Sequence, residues 1–460
     1  MKNKIFQSRD LCLRALDTNL LCAKNVRRDG KKMEQILLGL LFILFLVVLF
    51  GIINEKTLRI SNDIALVMFS FLLAAVVKLL GAAGLVDFDG TVIGNIAGIN
   101  LQEFLMDGIL CFMLFSGASG VNFGRFVKNF KSISLLALLS TVISSFIYGG
   151  LFYIIVLALH LDFSIWLCIL LGCIVSPTDP IAATSILKKA GLSKNVSTVI
   201  EGESLFNDGT GVAVFVCIKN IVNDTSDLSF PVLMAKELLG AIAIGFIVSF
   251  LMFKLLRATN NPMLHIFISM FDVMAAYLIC EKLGCSGVIA AVVCGIYFSR
   301  SMAKNEEWHK VVDPKDWYED FWHIADTLMN SVLFILIGFA AVNIPSHSWL
   351  PVLILTAVII NFIARFLGVG ASALIIGKKK IPNRYSAFEF TTLMTWSALK
   401  GGLSLALAFS TKDFLPLETY NVIFIMTCVT MYFTIVVQGL TTGKVFSIVE
   451  RWKAKRIRSR

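Results

Sequence analysis

Between Phe163 and Leu187 the chain is apolar for long enough to cross a bilayer, and Ser176-Pro177-Thr178-Asp179-Pro180 stands in the middle of that run. A proline has no N–H to donate. Pro177 and Pro180 therefore leave the carbonyls of Cys173 and Ser176 without helical partners and push the preceding residues toward extended backbone. In hydrocarbon, open backbone survives only where protein or a water-filled cavity encloses it. The break predicts a discontinuous membrane helix whose carbonyl oxygens lie beside a carboxylate, Asp179. Such oxygens are hard ligands suited to a small hard cation.

The remainder of the chain has the same membrane character. It is 57% apolar and 16% charged, outside the range of a soluble globular protein. Apolar runs of about 18 residues or more, divided at loop signals, predict an all-α polytopic protein of thirteen spans. They lie near 36–54, 61–83, 101–119, 132–158, 163–187, 195–219, 231–256, 263–281, 285–299, 319–344, 349–376, 386–411 and 418–443. Loops between them alternate in charge. Arg125, Lys128 and Lys131, then Lys188, Lys189 and Lys194, and finally Arg451 to Arg460 gather on one side, while Asp87, Asp89, Asp162, Asp224 and Asp227 gather on the other. Because cytoplasmic loops collect Lys and Arg, the C-terminus is expected in the cytoplasm and the N-terminus outside. The net charge of +10 follows from this topology, and no nucleic-acid partner is expected.

Residues 1–35 form a basic segment that is either the product of an upstream start site, the preferred reading, or an extracellular arm; Met33 opens the apolar sequence. A transmembrane domain is expected over 36–448 and a basic cytoplasmic tail over 449–460. Eight of the ten cysteines lie within spans and none forms a CxxC pair, so they read as small apolar residues. The five histidines have no helical pairing, no Walker A sequence occurs, and the DKTG signature of ion pumps is absent. ATP-driven transport has no motif here, and no cofactor is expected.

Spans one to six and eight to thirteen form two sets about the seventh, and an offset of seven reverses their direction. Span five then has an inverted counterpart in span twelve, where Trp396-Ser397-Ala398-Leu399-Lys400-Gly401-Gly402 interrupts an apolar run. Paired interruptions in two halves point to the binding site of a secondary transporter. Span six adds Glu201-Gly202-Glu203-Ser204-Leu205-Phe206-Asn207-Asp208, in which Ser204 and Asp208 share one helix face and Glu203 and Asn207 a neighbouring one. Burying Asp179, Glu203 and Asp208 at mid-membrane costs on the order of 8–10 kcal/mol. That cost demands a cavity or a cationic partner. Arg365, in the middle of span eleven, is the candidate partner for Glu203, which leaves Asp208 and Asp179 to titrate. Asp107, Lys78, Asp272, Asp326 and Glu389 are weaker candidates, with Asp272 and Asp326 expected to satisfy neighbouring polar groups. Trp308, Trp317, Tyr318 and Trp322 are expected to form an interfacial aromatic belt.

At these residues the chain resembles bacterial sodium/proton antiporters of the NhaP type, in the monovalent cation:proton antiporter-1 family. The resemblance rests on LCFMLFSGASGVNF, SPTDPIA, GESLFNDGTG, CSGVIAAVVCGIYFS, LMNSVLFILIGF, NFIARFLGV, WSALKGGLSLALA and VVQGLT, and it covers nearly everything after residue 97. It implies thirteen helices, with a core of helices 4–6 and 11–13, dimerisation helices 1–3 and 8–10, and a linking helix 7. A homodimer working by elevator-like motion is implied as well. Asp208 and Asp179 match the family's cation and proton site, Ser204 and the Thr178 backbone match further ligands to the transported sodium, and Glu203 and Arg365 match a structural ion pair. Lys400 stands where arginine is frequent, and Ser116 where some members carry an acid.

The expected function is exchange of sodium, and of lithium, for protons across a bacterial plasma membrane, with a role in pH homeostasis. Asn207 is neutral where electrogenic relatives carry an aspartate, so exchange is expected to be electroneutral. Potassium/proton exchange is the alternative within transport. An intramembrane aspartyl protease would also need two buried aspartates, but its GxGD and YD elements are absent; a passive channel would conduct without a pH gradient.

Overall fold

The computed structural model describes residues 37–85, 109–179, 187–188, 190–223, 229–259, 261–304, 314–340, 350–377, 381–382 and 385–459. The basic N-terminal residues, Asp87, Asp89, Asp107, Pro180, Lys189, Asp224, Asp227 and Trp308 lie outside them. The described residues form helices, joined in one place by a single isolated antiparallel bridge. In chain order these are α1 (Leu37–Lys56), α2 (Asn62–Ala82), α3 (Leu110–Ser119) and α4 (Phe123–Ala158), then α5 (Ile165–Val175) and α6 (Lys194–Val222). α7 (Phe230–Arg257), α8 (Pro262–Leu283), α9 (Gly287–Lys304), α10 (Pro314–Ala340) and α11 (Leu350–Ile376) follow. The chain ends with the half-helices α12a (Ala387–Trp396) and α12b (Gly402–Ser410) and with α13 (Leu417–Arg458). Among the described residues nine helices are long and apolar enough to cross a membrane, and three apolar ones are shorter.

Helix starts are written locally. Ser164 accepts from the amide of Leu167 at the head of α5, Ser193 from Val196 at the head of α6, and Ser386 forms a capping box with Glu389 at α12a. α4, α5, α6, α11, α12a, α12b and α13 pack on one another, while α2, α3, α7, α8, α9 and α10 form a second packed group. α4 and α5 approach so closely that a Cβ on Gly172 would strike the Ser145 carbonyl and one on Gly149 would strike the backbone of Ile169.

Two expectations change, and a third gains detail. α4 starts at Phe123, so Arg125, Lys128 and Lys131 belong to its first turns rather than to a loop. The tail expected over 449–460 is the helical continuation of α13, because Arg456 forks onto Glu389 at 2.9 Å through two nitrogens and Trp452 meets the ring of Phe388. Among the described members of the expected aromatic belt, Trp317 is exposed, at 67%. Tyr318 and Trp322 are buried against Phe298 and Phe115, where they seat α10 on α9 and α3.

Gly172→Ala is expected to destabilise the protein by about 1–3 kcal/mol, since the added methyl overpacks against backbone that has no room to rotate away. Gly150→Ala, where a methyl meets nothing within 4 Å, leaves the melting temperature in detergent unchanged or raised.

Candidate functional site

α5 stops at Val175 and α12a at Trp396, and the extended residues that follow them cross. The amide of Asp179 donates to the carbonyl of Leu399 at 2.8 Å. Each open segment is then held by a side chain of the next long helix. The Thr178 amide donates to Asn207 Oδ1 of α6 at 3.1 Å, and the Lys400 amide donates to Thr434 Oγ1 of α13 at 3.1 Å. Thr434 opens a π-helical turn, Thr434–Gln438, which widens α13 where it meets the crossing.

Two carbonyls of the open segment also find donors. Lys400 Nζ, on a side chain only 2% exposed, lies 3.2 Å from the Ser176 carbonyl, the acceptor that Pro180 cannot serve. The Ser204 hydroxyl donates to the Thr178 carbonyl, and the Thr178 hydroxyl lies 3.0 Å from that of Ser204. Asn207 completes the knot. Its Nδ2 donates to Thr178 Oγ1 at 2.7 Å and to Glu203 Oε1 at 3.1 Å, so one amide ties the broken segment to the neighbouring carboxylate.

Glu203 and Arg365 meet inside the protein, 2% and 3% exposed respectively. One nitrogen, Arg365 Nη2, lies 2.9 Å from both carboxylate oxygens, while Nη1 donates to Ser140 Oγ at 3.3 Å. The contact is end-on rather than a two-nitrogen fork. Ser140 closes the π-helical turn Leu136–Ser140 within α4, and its hydroxyl also reaches Glu203 Oε1 at 3.4 Å.

Asp208 and Asp179 are only partly covered, and both line a cavity of about 590 Å³ together with Ser116, Glu201, Asp326 and Gly401. A side chain at position 401 would meet Asp179, so the glycine is what lets the start of α12b approach that carboxyl. Lys188 pairs with Glu201 at 2.6 Å on the cavity wall, and Ser197 donates to the same carboxylate at 2.9 Å. Ser116 donates to the Trp322 carbonyl at 3.0 Å.

The geometry thus brings together Asp208, Asp179, Ser204, Thr178, Asn207, Glu203, Arg365 and Lys400, all of which sequence reasoning singled out. It adds Ser140, Thr434 and Lys188, which carry no signal beyond being polar residues in or near an apolar helix. Asp272 is fully buried and accepts from Ser249 at 2.8 Å, a polar neighbour as expected. Asp326 instead opens onto the cavity, and Glu389 is committed to a helix cap and to Arg456.

The profile of the family described as "Sodium/hydrogen exchanger, transmembrane" matches residues 89–447. The chain belongs to the sodium/hydrogen exchanger family. It is therefore a multi-pass membrane transporter and not an enzyme. It is 30% identical over 407 residues to the Na(+)/H(+) antiporter NhaP of Pseudomonas aeruginosa, covering 86% of this chain and 93% of that one. To the Na(+)/H(+) antiporter NhaH of Halobacillus aidingensis it is 29% identical over 323 residues, 68% of this chain and 74% of the relative. The fold is that of the sodium proton antiporter MjNhaP1 of Methanocaldococcus jannaschii, with a TM-score of 0.70 at 18% identity over 90% of this chain and 98% of that one.

Removing one partner of the buried pair leaves the other charge uncompensated, so Arg365→Ala and Glu203→Ala are each expected to cost roughly 3–5 kcal/mol. The double variant should melt above either single one. A double variant no more stable than the singles in detergent melting would show that the two charges do not stabilise one another.

Proposed function

We propose that this protein exchanges sodium, and lithium in its place, for protons at one site that Asp208 and Asp179 form beside the crossing of the two broken helices. The observation that carries the reading is the division of the buried charges. Glu203 and Arg365 are closed on each other away from the cavity, whereas Asp208 and Asp179 open onto it. A carboxylate facing water can hold either a proton or a cation, and holding one excludes the other. Alternating access to such a carboxylate couples the two gradients, with no second linkage needed. The Ser204 hydroxyl oxygen and the Thr178 carbonyl are the neutral ligands beside these carboxylates, hard oxygens matched to a small monovalent ion.

The packing of α4–α6 with α11–α13, distinct from that of α2, α3 and α8–α10, supports a core that moves against the remaining helices; α7 as the link between the two and assembly into a homodimer are part of the same proposal. Thirteen crossings in two inverted halves, a cytoplasmic C-terminus and an N-terminus outside complete the reading, which the alternation of loop charge supports. The membrane is the bacterial plasma membrane, as befits a chain similar to antiporters from bacteria, and the physiological role is pH homeostasis.

Asn207 gives the stoichiometry. Its amide cannot titrate, and both of its polar atoms are engaged by Thr178 and Glu203, so it stabilises the break without carrying charge. With Glu203 and Arg365 locked together, one proton leaves for each cation bound.

Asp208→Asn is expected to abolish proton movement in liposomes challenged with sodium, lithium or potassium while preserving the fold, because the amide keeps the shape but trades no proton. Retained exchange in that variant moves the site elsewhere. Clamping the membrane potential with potassium and valinomycin leaves the rate of sodium-driven proton movement unchanged if exchange is electroneutral. A rate that follows the imposed potential requires a second moving charge.

A further inference from the structure

Across the cavity from Asp179, the wall formed by α10 carries oxygens that the site described above does not use. Asp326 lines the cavity, and Asn330 stands one helical turn further on the same face, only 3% exposed. The Asn330 amide serves the Asp326 carboxylate. That leaves Asn330 Oδ1 and Asp326 Oδ1 both buried and, among the described residues, without a hydrogen-bond donor. Leaving one such acceptor unsatisfied costs about 1–3 kcal/mol, and two neighbouring ones ask for a shared positive partner.

A third oxygen-bearing group stands at the same level. α2 packs along α10, with Ser70 Oγ reaching the Phe334 carbonyl at 3.4 Å and Gly338 admitting Ser70 at close quarters. The odd–even order of the spans runs both helices the same way. Asp63 lies seven residues before Ser70 and Asp326 eight before Phe334, which at about 1.5 Å rise per residue brings the two carboxyls to one depth. Asp63 lies within electrostatic reach of Asp326 and of Asp179. Among the described residues, the basic side chains lining the cavity are otherwise engaged or displaced: Lys188 is paired with Glu201, and His323, three residues before Asp326, is exposed.

We propose that Asp326, Asn330 and Asp63 form a second site for a monovalent alkali cation, on the α2–α10 wall facing Asp179. The donor set is oxygen only, two carboxylates and an amide carbonyl, which selects sodium or lithium over transition metals. The unit carries the charge to replace the missing donor at both orphaned oxygens. Leu333 of α10 packs over Gly402 at the start of α12b, so the wall abuts the crossing, and an ion held here waits beside the transport carboxylates. This role as a waiting station rests on the transport reading above; the existence of the site does not.

Equilibrium binding of radioactive sodium to the purified full chain separates the two. In an Asp179→Asn/Asp208→Asn variant that melts like the unaltered protein, one saturable sodium site remains, and adding Asp326→Asn removes it. Absence of sodium binding in the former, binding that persists after Asp326→Asn, or binding of calcium but not sodium overturns the second site. In the otherwise unaltered protein, Asp326→Asn and Asn330→Leu each raise KM for sodium by about tenfold, a loss of about 1.4 kcal/mol, with kcat changed far less. An unchanged KM in both also overturns it, and this arm decides the matter where the triple variant does not fold. Full exchange by Asp208→Asn alone would sink the transport reading yet leave the binding result to be read on its own.

Discussion

Backbone hydrogen bonds that water cannot replace govern this molecule. Pro177 removes an amide from the ladder of α5 in the middle of an apolar span, and the polar groups packed around it repair the damage. Asn207 takes the Thr178 amide, Ser204 serves the Thr178 carbonyl, Lys400 serves the Ser176 carbonyl, and Leu399 accepts from Asp179. The second break is repaired by the first. Two flaws placed face to face thus form one rigid crossing whose cavity side presents carboxylates.

Charge is partitioned by the same economy of partners. Glu203 is saturated by Arg365, Asn207 and Ser140, so it and its guanidinium act as a bolt between α6 and α11. Two π-helical turns matter here. One ends at Ser140, beside that bolt, and the other starts at Thr434, beside the Lys400 amide; each shifts a hydroxyl by a fraction of a turn to where an acceptor or donor is wanting. The wall opposite, α10 with α2, is held to its own group by the buried Tyr318 and Trp322 and offers Asp326 to the same cavity.

Much of this was legible in the residues alone. Prolines and a carboxylate inside an apolar run can mean little except a broken helix around a polar site, and a buried arginine requires an acid, because hydrocarbon tolerates neither an open backbone nor a lone charge. The cap at α12a is just as local, since Ser386 and Glu389 need only each other, yet Glu389 read as one more intramembrane charge. What spacing cannot carry is orientation in three dimensions. Tyr318 and Trp322 read as a membrane belt because aromatic residues near a polar loop are common at interfaces, and only the docking of α10 on α3 and α9 buries them. The basic tail read as cytoplasmic from its charge, but which acid its arginines meet was not legible, because the fork from Arg456 to Glu389 exists only once α13 lies along α12a.

By itself the sequence determined that this is a membrane-embedded helical protein with two broken helices, a carboxylate site and an ion pair, since each follows from the cost of polar groups in an apolar solvent. Tertiary structure decided which polar group answers which. That Asn207 is a knot as well as a neutral neighbour, that Lys400 fills the place of a missing amide, and that Asp326 shares a cavity with Asp179 all depend on the meeting of residues 29 to 224 positions apart along the chain in this fold. Hydrogen bonds reach about 3 Å, and no periodicity along one helix specifies which atom of a distant helix will stand at that distance.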